Sequence, residues 1–156
     1  MLSSRKEYFY EVDLTWNLER MGTLSSLGLS EIEVVTPPEF TKGQKNKWTP
    51  EHMLAGAVSS CLMTTFLAIA ESHQLSIIAY RSHCFVKLEK KEGKLNATEI
   101  LLRPTITLIS DQALPQAIKL MEKADLTCPI KNALRLVVEV HPQFEFLNSE
   151  EKIKYN

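Results

Sequence analysis

Between His52 and Glu71 the chain carries no charged side chain, and most of the stretch is apolar. Immediately before it stand Thr49, Pro50 and Glu51. A hydroxyl residue caps a helix well, proline suits the first helical position, and an acid suits the first turn. The pattern predicts a helix from Thr49 to about Ser72 that is apolar on nearly every face. Such a helix has no face to offer water, so it belongs in the middle of the protein or of an oligomer. Its length raises the question of a membrane span. Gly56, Ser59, Ser60, Thr64 and Thr65 dilute it, and Glu51 and Glu71 flank it closely. A buried globular helix is the expectation, with no membrane partner.

Strand signals surround this helix. Residues 7–16 are aromatic and β-branched, and residues 29–35 alternate Ile32 and Val34 with Glu31 and Glu33. Turns are expected near Met21 and Gly22 and near Leu27 and Gly28. The lysine-bearing residues 36–47, with Pro37 and Pro38, read as an exposed loop. After the helix, residues 76–80 and 82–88 read as strand, with Cys84, Val86 and Leu88 on one face. A hairpin turn at Glu92 and Gly93 leads into a returning strand over 98–108, where Pro104 suggests an edge or a bulge. Ser110 or Asp111 starts a helix running to about Asp125. Pro129 opens a short helix, residues 134–140 form a last strand, and a polar tail follows over 147–156. Strands, one buried helix, a hairpin, helices and a strand make an α+β chain, not an alternating parallel α/β one. At 156 residues a single domain over 1–156 is expected.

Charge narrows the function. Eighteen basic against nineteen acidic residues give a net charge of -1, which leaves no basic field for nucleic acid and no polybasic membrane signal. Three cysteines are too few for a disulfide-stapled secreted scaffold, and no apolar leader is visible in the first residues. A reducing cytoplasm is the expected compartment, where a disulfide is usually transient or catalytic. His52, His73, His83 and His141 are scattered, so no metal site is expected.

The cysteines differ in setting. Cys61 is embedded in the apolar helix, Cys128 precedes Pro129, and Cys84 reads as core beside Val86 and Leu88. A thiol at a helix start is favoured as thiolate, so Cys128 read locally could be an attacking nucleophile. Burial in mid-helix alone disfavours a thiolate.

Two motifs in this order carry a resemblance. Thr49-Pro50-Glu51-His52-Met53-Leu54-Ala55 leads through Ser59-Ser60 to Cys61, and Cys128-Pro129-Ile130-Lys131-Asn132-Ala133-Leu134 follows. With Gly93-Lys94-Leu95 and the extended Ile100 to Leu102 between them, they resemble the OsmC/Ohr family of organic hydroperoxide reductases over roughly residues 10–142. The resemblance implies a swapped α+β homodimer, with antiparallel sheets around two long central buried helices and active sites at the subunit interface. It implies a peroxidase that reduces organic or lipid hydroperoxides to alcohols, with Cys61 peroxidatic and Cys128 resolving through a Cys61–Cys128 disulfide. It implies an activating arginine, mapped to Arg20, and a glutamate that orients it, mapped to Glu51. No bound cofactor is implied, only an external dithiol reductant such as a lipoylated protein. A non-enzymatic redox sensor or binding module of the same fold is the alternative, and a cysteine-nucleophile hydrolase a second one.

Chemistry and geometry sharpen these roles. A guanidinium stays charged at any working pH and can offset burial of a thiol. A carboxylate can hold that guanidinium through charge-assisted hydrogen bonds. On one straight helix, positions 51 and 61 stand about 15 Å apart along the axis and about 80° apart around it. Glu51 therefore reaches the Cys61 thiol only if the helix breaks or if it comes from a partner chain.

Overall fold

The computed structural model describes residues 6–147. The chain forms two compact units that divide between Pro50 and Glu51. The N-terminal unit is an antiparallel meander of β1 (Asp13–Leu18), β2 (Met21–Ser25) and β3 (Ile32–Val35). Strand β2 covers the Met21 and Gly22 positions where a turn was expected. The turn lies one step earlier, at Glu19 and Arg20, with Glu19 at φ 51°. Gly22 serves the strand by its size, since a Cβ there would lie 2.9 Å from the Leu14 side chain. Residues 36–47 fold back on themselves: the Gln44 N–H donates to Thr36 O at 3.1 Å, and the Gly43 N–H to Phe40 O at 2.8 Å.

The C-terminal unit begins with α1 (Pro50–Ser72), unbroken over 23 residues. It starts where proline and the first-turn Glu51 predict. At its end Gln74 adopts φ 57°, and the Leu75 N–H reaches back to Ala70 O at 2.9 Å. That is the left-handed closure usually given to glycine. The buried Leu75 helps hold it in place. Within this chain Val58, Leu62, Phe66 and Ala70 are buried, one stripe at a spacing of four. Gly56, Ser60, Thr64 and Ala68 form an exposed stripe. The expected all-round burial is therefore half met by the chain itself. By length and hydropathy α1 could cross a membrane. Its stripe instead packs into a core with Ile100, Leu102, Ile106 and Leu108.

Those partners lie on a long hairpin, β4 (Ile77–Lys91) and β5 (Lys94–Leu108). Glu92 (φ 50°) and Gly93 (φ 78°) turn it, a mirror-type turn whose twist suits the flanking strands. Cys84 pairs with Leu102 and Val86 with Ile100 on the inward face. A short 3-10 turn (Asp111–Ala113) leads into α2 (Leu114–Thr127), which buries Ala117, Leu120, Met121 and Ala124. Next come α3 (Pro129–Ala133), β6 (Val137–Val140) and β7 (Gln143–Phe146).

Two expectations change here. Strands β6 and β7 both run parallel to β5, so this sheet is mixed rather than purely antiparallel. The helices between β5 and β6 form a crossover that returns the chain to the same end of the sheet. Pro104 lies on a central strand, not an edge. It stands level with the interruption between β6, paired with residues 99–102, and β7, paired with residues 105–108. There the parallel ladder has no bond for a proline to remove. The tail from Asn148 onward lies outside the described residues.

Candidate functional site

Cys61 and Cys128, 67 residues apart in sequence, meet in the C-terminal unit. The Cys128 Sγ donates to Cys61 Sγ at 3.2 Å, and both are unbridged thiols. Each is delivered by a simple local rule. Cys61 stands one residue before Leu62 and three after Val58, at the margin of the buried stripe, and is only partly buried. Cys128 precedes a proline, and that position is pushed out of the α region. Its ψ is accordingly 109°, which ends α2 and turns the chain into α3 with the sulfur fully buried inside the corner.

The corner is clasped from its own sequence. Lys131 forms a partly buried ion pair with Asp125, and the Asn132 amide donates to Leu126 O at 2.8 Å. The Asn132 N–H also bonds Cys128 O at 3.0 Å. Lys131 and Asn132 belong to the motif after Cys128, but their positioning role becomes visible only in the folded corner.

Burial pushes the Cys128 thiol above its ordinary value, and the adjacent Cys61 adds to that. The Lys131 and Ile130 N–H groups pull the other way. No side-chain capping hydrogen bond forms at Cys128. Desolvation thus outweighs the short helix start, and the Cys128 thiol keeps its proton as the donor of the contact. Cys84 is half-buried on the inward face, and burial raises its pKa as well. It packs against the same core, in keeping with a structural role.

The other two predicted residues are carried by other elements. Glu51 occupies the first turn of α1, and its Oε2 is buried with no hydrogen-bond partner. Because α1 is continuous, the break that would bring Glu51 to Cys61 of the same helix does not occur. Arg20 sits in the exposed tip between β1 and β2 in the N-terminal unit, its carbonyl accepting from the Thr36 N–H at 3.3 Å. Within that unit it borders an open hollow of about 320 Å³ with Leu14, Trp16, Met21 and Val34. A guanidinium thus adjoins an apolar wall. Among the described residues no group of three or more His, Cys, Asp or Glu could hold a metal ion.

The sequence reading missed Tyr80. It lies on the inward face of β4 opposite Ile106, its ring centroid 6.2 Å from that of Phe66. Its hydroxyl is buried without a hydrogen-bond partner. Burial, then the proximity of Cys128, push its pKa up to about 12. Nothing in the local sequence marks it, because it falls within a strand of ordinary alternation.

Fold and thiol pair together define a dithiol α+β protein with one cysteine in mid-helix and the other before a proline. The chain belongs to the OsmC-like protein family, whose profile matches residues 43–142. It is 27% identical over 138 residues to the uncharacterized protein YmaD of Bacillus subtilis, covering 85% of this chain and 89% of that protein. An OsmC-like protein of unknown function from Vibrio cholerae superposes with a TM-score of 0.74 at 25% identity, over 86% of this chain and 100% of the other. An organic hydroperoxide resistance protein from Elizabethkingia anophelis shares the fold at 24% identity, with a TM-score of 0.70 over 91% and 100% of the two chains. So does the organic hydroperoxide resistance protein OhrB of Bacillus subtilis, at 20% identity and a TM-score of 0.64 over 87% and 98%.

Proposed function

We propose that this protein is a thiol-dependent peroxidase that reduces organic hydroperoxides to alcohols. Cys61 attacks the distal peroxide oxygen and becomes a sulfenic acid, and the alkoxide leaves as the alcohol. Cys128 then displaces hydroxide from Cys61, which leaves as water and forms the Cys61–Cys128 disulfide. An external dithiol, such as a lipoylated protein, restores both thiols. The observation that carries this reading is the 3.2 Å contact between the two sulfurs, with Cys128 as donor. A resolving thiol has to be this close to trap a sulfenic acid before further oxidation. The partly exposed Cys61 can meet a substrate, whereas Cys128 is buried.

The proposal extends to a homodimer in a cytoplasmic setting, with exchanged elements and a shared site. Gly56, Ser60, Thr64 and Ala68 give α1 an exposed face of small residues. The Ser60 hydroxyl bonds Gly56 O at 2.7 Å and the Thr64 hydroxyl bonds Ser60 O at 3.0 Å, so neither asks a partner for a hydrogen bond. A second α1 can lie close against such a face. Glu51 supports the same arrangement. A buried carboxylate oxygen without a partner is costly, and a guanidinium relieves that cost. In the proposed site Glu51 of one protomer orients Arg20 beside the Cys61 of its partner, and the apolar hollow at Arg20 receives the organic group.

The test is peroxide-dependent loss of free thiols in wild type, Cys61→Ser and Cys128→Ser, comparing an alkyl hydroperoxide with hydrogen peroxide. The expected result is loss of two thiols per chain in wild type, with the alkyl hydroperoxide consumed faster. Cys61→Ser should lose none. A redox sensor would oxidise once without turnover when dithiol is supplied, and a cysteine hydrolase would leave Cys128 dispensable. Either result would sink the proposal.

A further inference from the structure

The outward face of the long hairpin, turned away from the core that holds the thiols, carries a second polar feature. An open hollow of about 330 Å³ there is lined by Arg81, Ser82 and His83 of β4, Arg103 and Thr105 of β5, and Gln143 of β7. The register explains why they converge. His83 stands opposite Arg103 and Arg81 opposite Thr105, so the two arginines are diagonal neighbours, a spacing that long side chains bridge. Thr105 in turn stands level with Gln143. Like charges brought together on one face of a sheet are unfavourable unless a counter-charge joins them. The chain supplies one for Arg81 only. Glu145 takes its guanidinium on two prongs, Nη1 to Oε2 at 2.9 Å and Nη2 to Oε1 at 2.6 Å. Glu139, diagonal to Arg103 across the parallel ladder, bonds His141 at 3.0 Å instead. Among the described residues Arg103 has no ion pair.

We propose that this hollow is a phosphate-binding site, taking inorganic phosphate or the phosphate group of a small ester. Its donors come from three strands. Arg103 offers its whole fork, and Arg81 offers the N–H groups that Glu145 leaves over. His83 carries a ring N–H in either protonation state, and the Thr105 hydroxyl and Gln143 amide complete the lining. The Ser82 hydroxyl is already engaged with Ser59 at 2.7 Å and is not needed. A planar carboxylate suits one guanidinium, as Glu145 does for Arg81. A tetrahedral phosphate presents oxygens in several directions and can join two guanidiniums from different strands. Glu145 then has a second duty, since it fixes the direction of the Arg81 fork beside the hollow. The surroundings favour a small anion over a nucleic acid. Glu99, Glu139 and Glu145 share this face of the sheet, and the whole chain carries a net charge of -1. The cation excess is therefore local to the hollow. The site uses no residue of the peroxidase reading and stands or falls without it.

The experiment titrates the full chain by calorimetry with inorganic phosphate, with glycerol phosphate and with acetate, all at one ionic strength. Wild type should bind at least one of the two phosphates saturably, at one site per chain and more tightly than acetate. The tighter of the two names the source of the phosphate group. Arg103→Gln should weaken that binding by about tenfold or more, the worth of a hydrogen bond to a charged group. Arg81→Gln should weaken it as well, and it carries the test if Arg103→Gln does not fold. Lys87→Gln removes a charge from the same face of β4 outside the hollow. It should change the affinity by less than about twofold, because exposed charges away from the site act through screening salt. No saturable binding of either phosphate would overturn the proposal, as would acetate binding equally tightly. Wild-type affinity in Arg103→Gln, or equal weakening in Lys87→Gln, would overturn it too.

Discussion

In the C-terminal unit the core-facing apolar residues of α1, α2 and β5 are sealed. Val58, Leu62, Phe66, Ile100, Leu102 and Ile106 each expose 0% of their surface. In the N-terminal unit the alternating row on β1 is open, with Leu14 at 64%, Trp16 at 74% and Leu18 at 58% exposure. Both units have the right period for their elements, so patterning does not separate them. Partners do. The long hairpin has helices to lie on, and burying each large side chain contributes roughly 1.5–3 kcal/mol. A three-stranded sheet has only one apolar face and nothing of its own to cover it. The lesson is that the thiol pair belongs to the part of the chain that completes itself. Arg20 and its hollow belong to the part that does not. This is the physical reason for proposing that the full site is completed in a dimer.

The largest expected effect sharpens that division. Mixing inactive Glu51→Gln and Cys61→Ser chains, refolded together, should regain peroxidase activity. One of the two sites then combines an intact Cys61 with an intact Glu51 from the other chain. If Glu51 serves the thiol of its own chain, the mixture stays as inactive as either parent.

The next prediction sets one residue from each unit side by side. Phe66→Ala should cost about 3–5 kcal/mol in chemical denaturation, the range for emptying a sealed aromatic site. Trp16→Ala should cost under about 0.5 kcal/mol at dilutions where the protein is monomeric, as expected of an exposed position. It should weaken self-association instead, read by sedimentation. Equal losses in denaturation would erase the contrast between the units.

The smallest effect is a pH dependence confined to the C-terminal unit. Tyr80 is raised to about 12 from an ordinary 10.0, and Cys84 and Cys128 are raised above 9.0. These acids keep protons in the folded state that the unfolded chain has already lost. Stability is therefore untouched by them at pH 8 and falls as pH rises past 9 toward 12. Tyr80→Phe should flatten the part of that fall above pH 10, measured by thermal melts across the range. A slope unchanged by the substitution would contradict the raised phenol.

The sequence announced what short-range rules control. Thr49, Pro50 and Glu51 marked the start of α1, and Gly93 marked the hairpin turn. The helix start at Pro129 was equally plain. Strand β2 was hidden because Gly22 read as a turn, whereas the fold uses Gly22 for a close approach beside Leu14. The parallel pairing of β6 and β7 was hidden as well, since it depends on where the crossover returns the chain. Within the site, both cysteines were legible as unusual, but their 3.2 Å meeting was not. The unpartnered hydroxyl of Tyr80 emerges only once β4 lies against the core.

The central claim is directional: Cys61 attacks and Cys128 resolves. The most direct measurement treats Cys128→Ser and Cys61→Ser proteins with one equivalent of an alkyl hydroperoxide and maps a sulfenic-acid trap by mass spectrometry. The account predicts the trap on Cys61 in the first protein and no adduct in the second. A sulfenic acid on Cys128 in the Cys61→Ser protein, with peroxide still consumed, would contradict it.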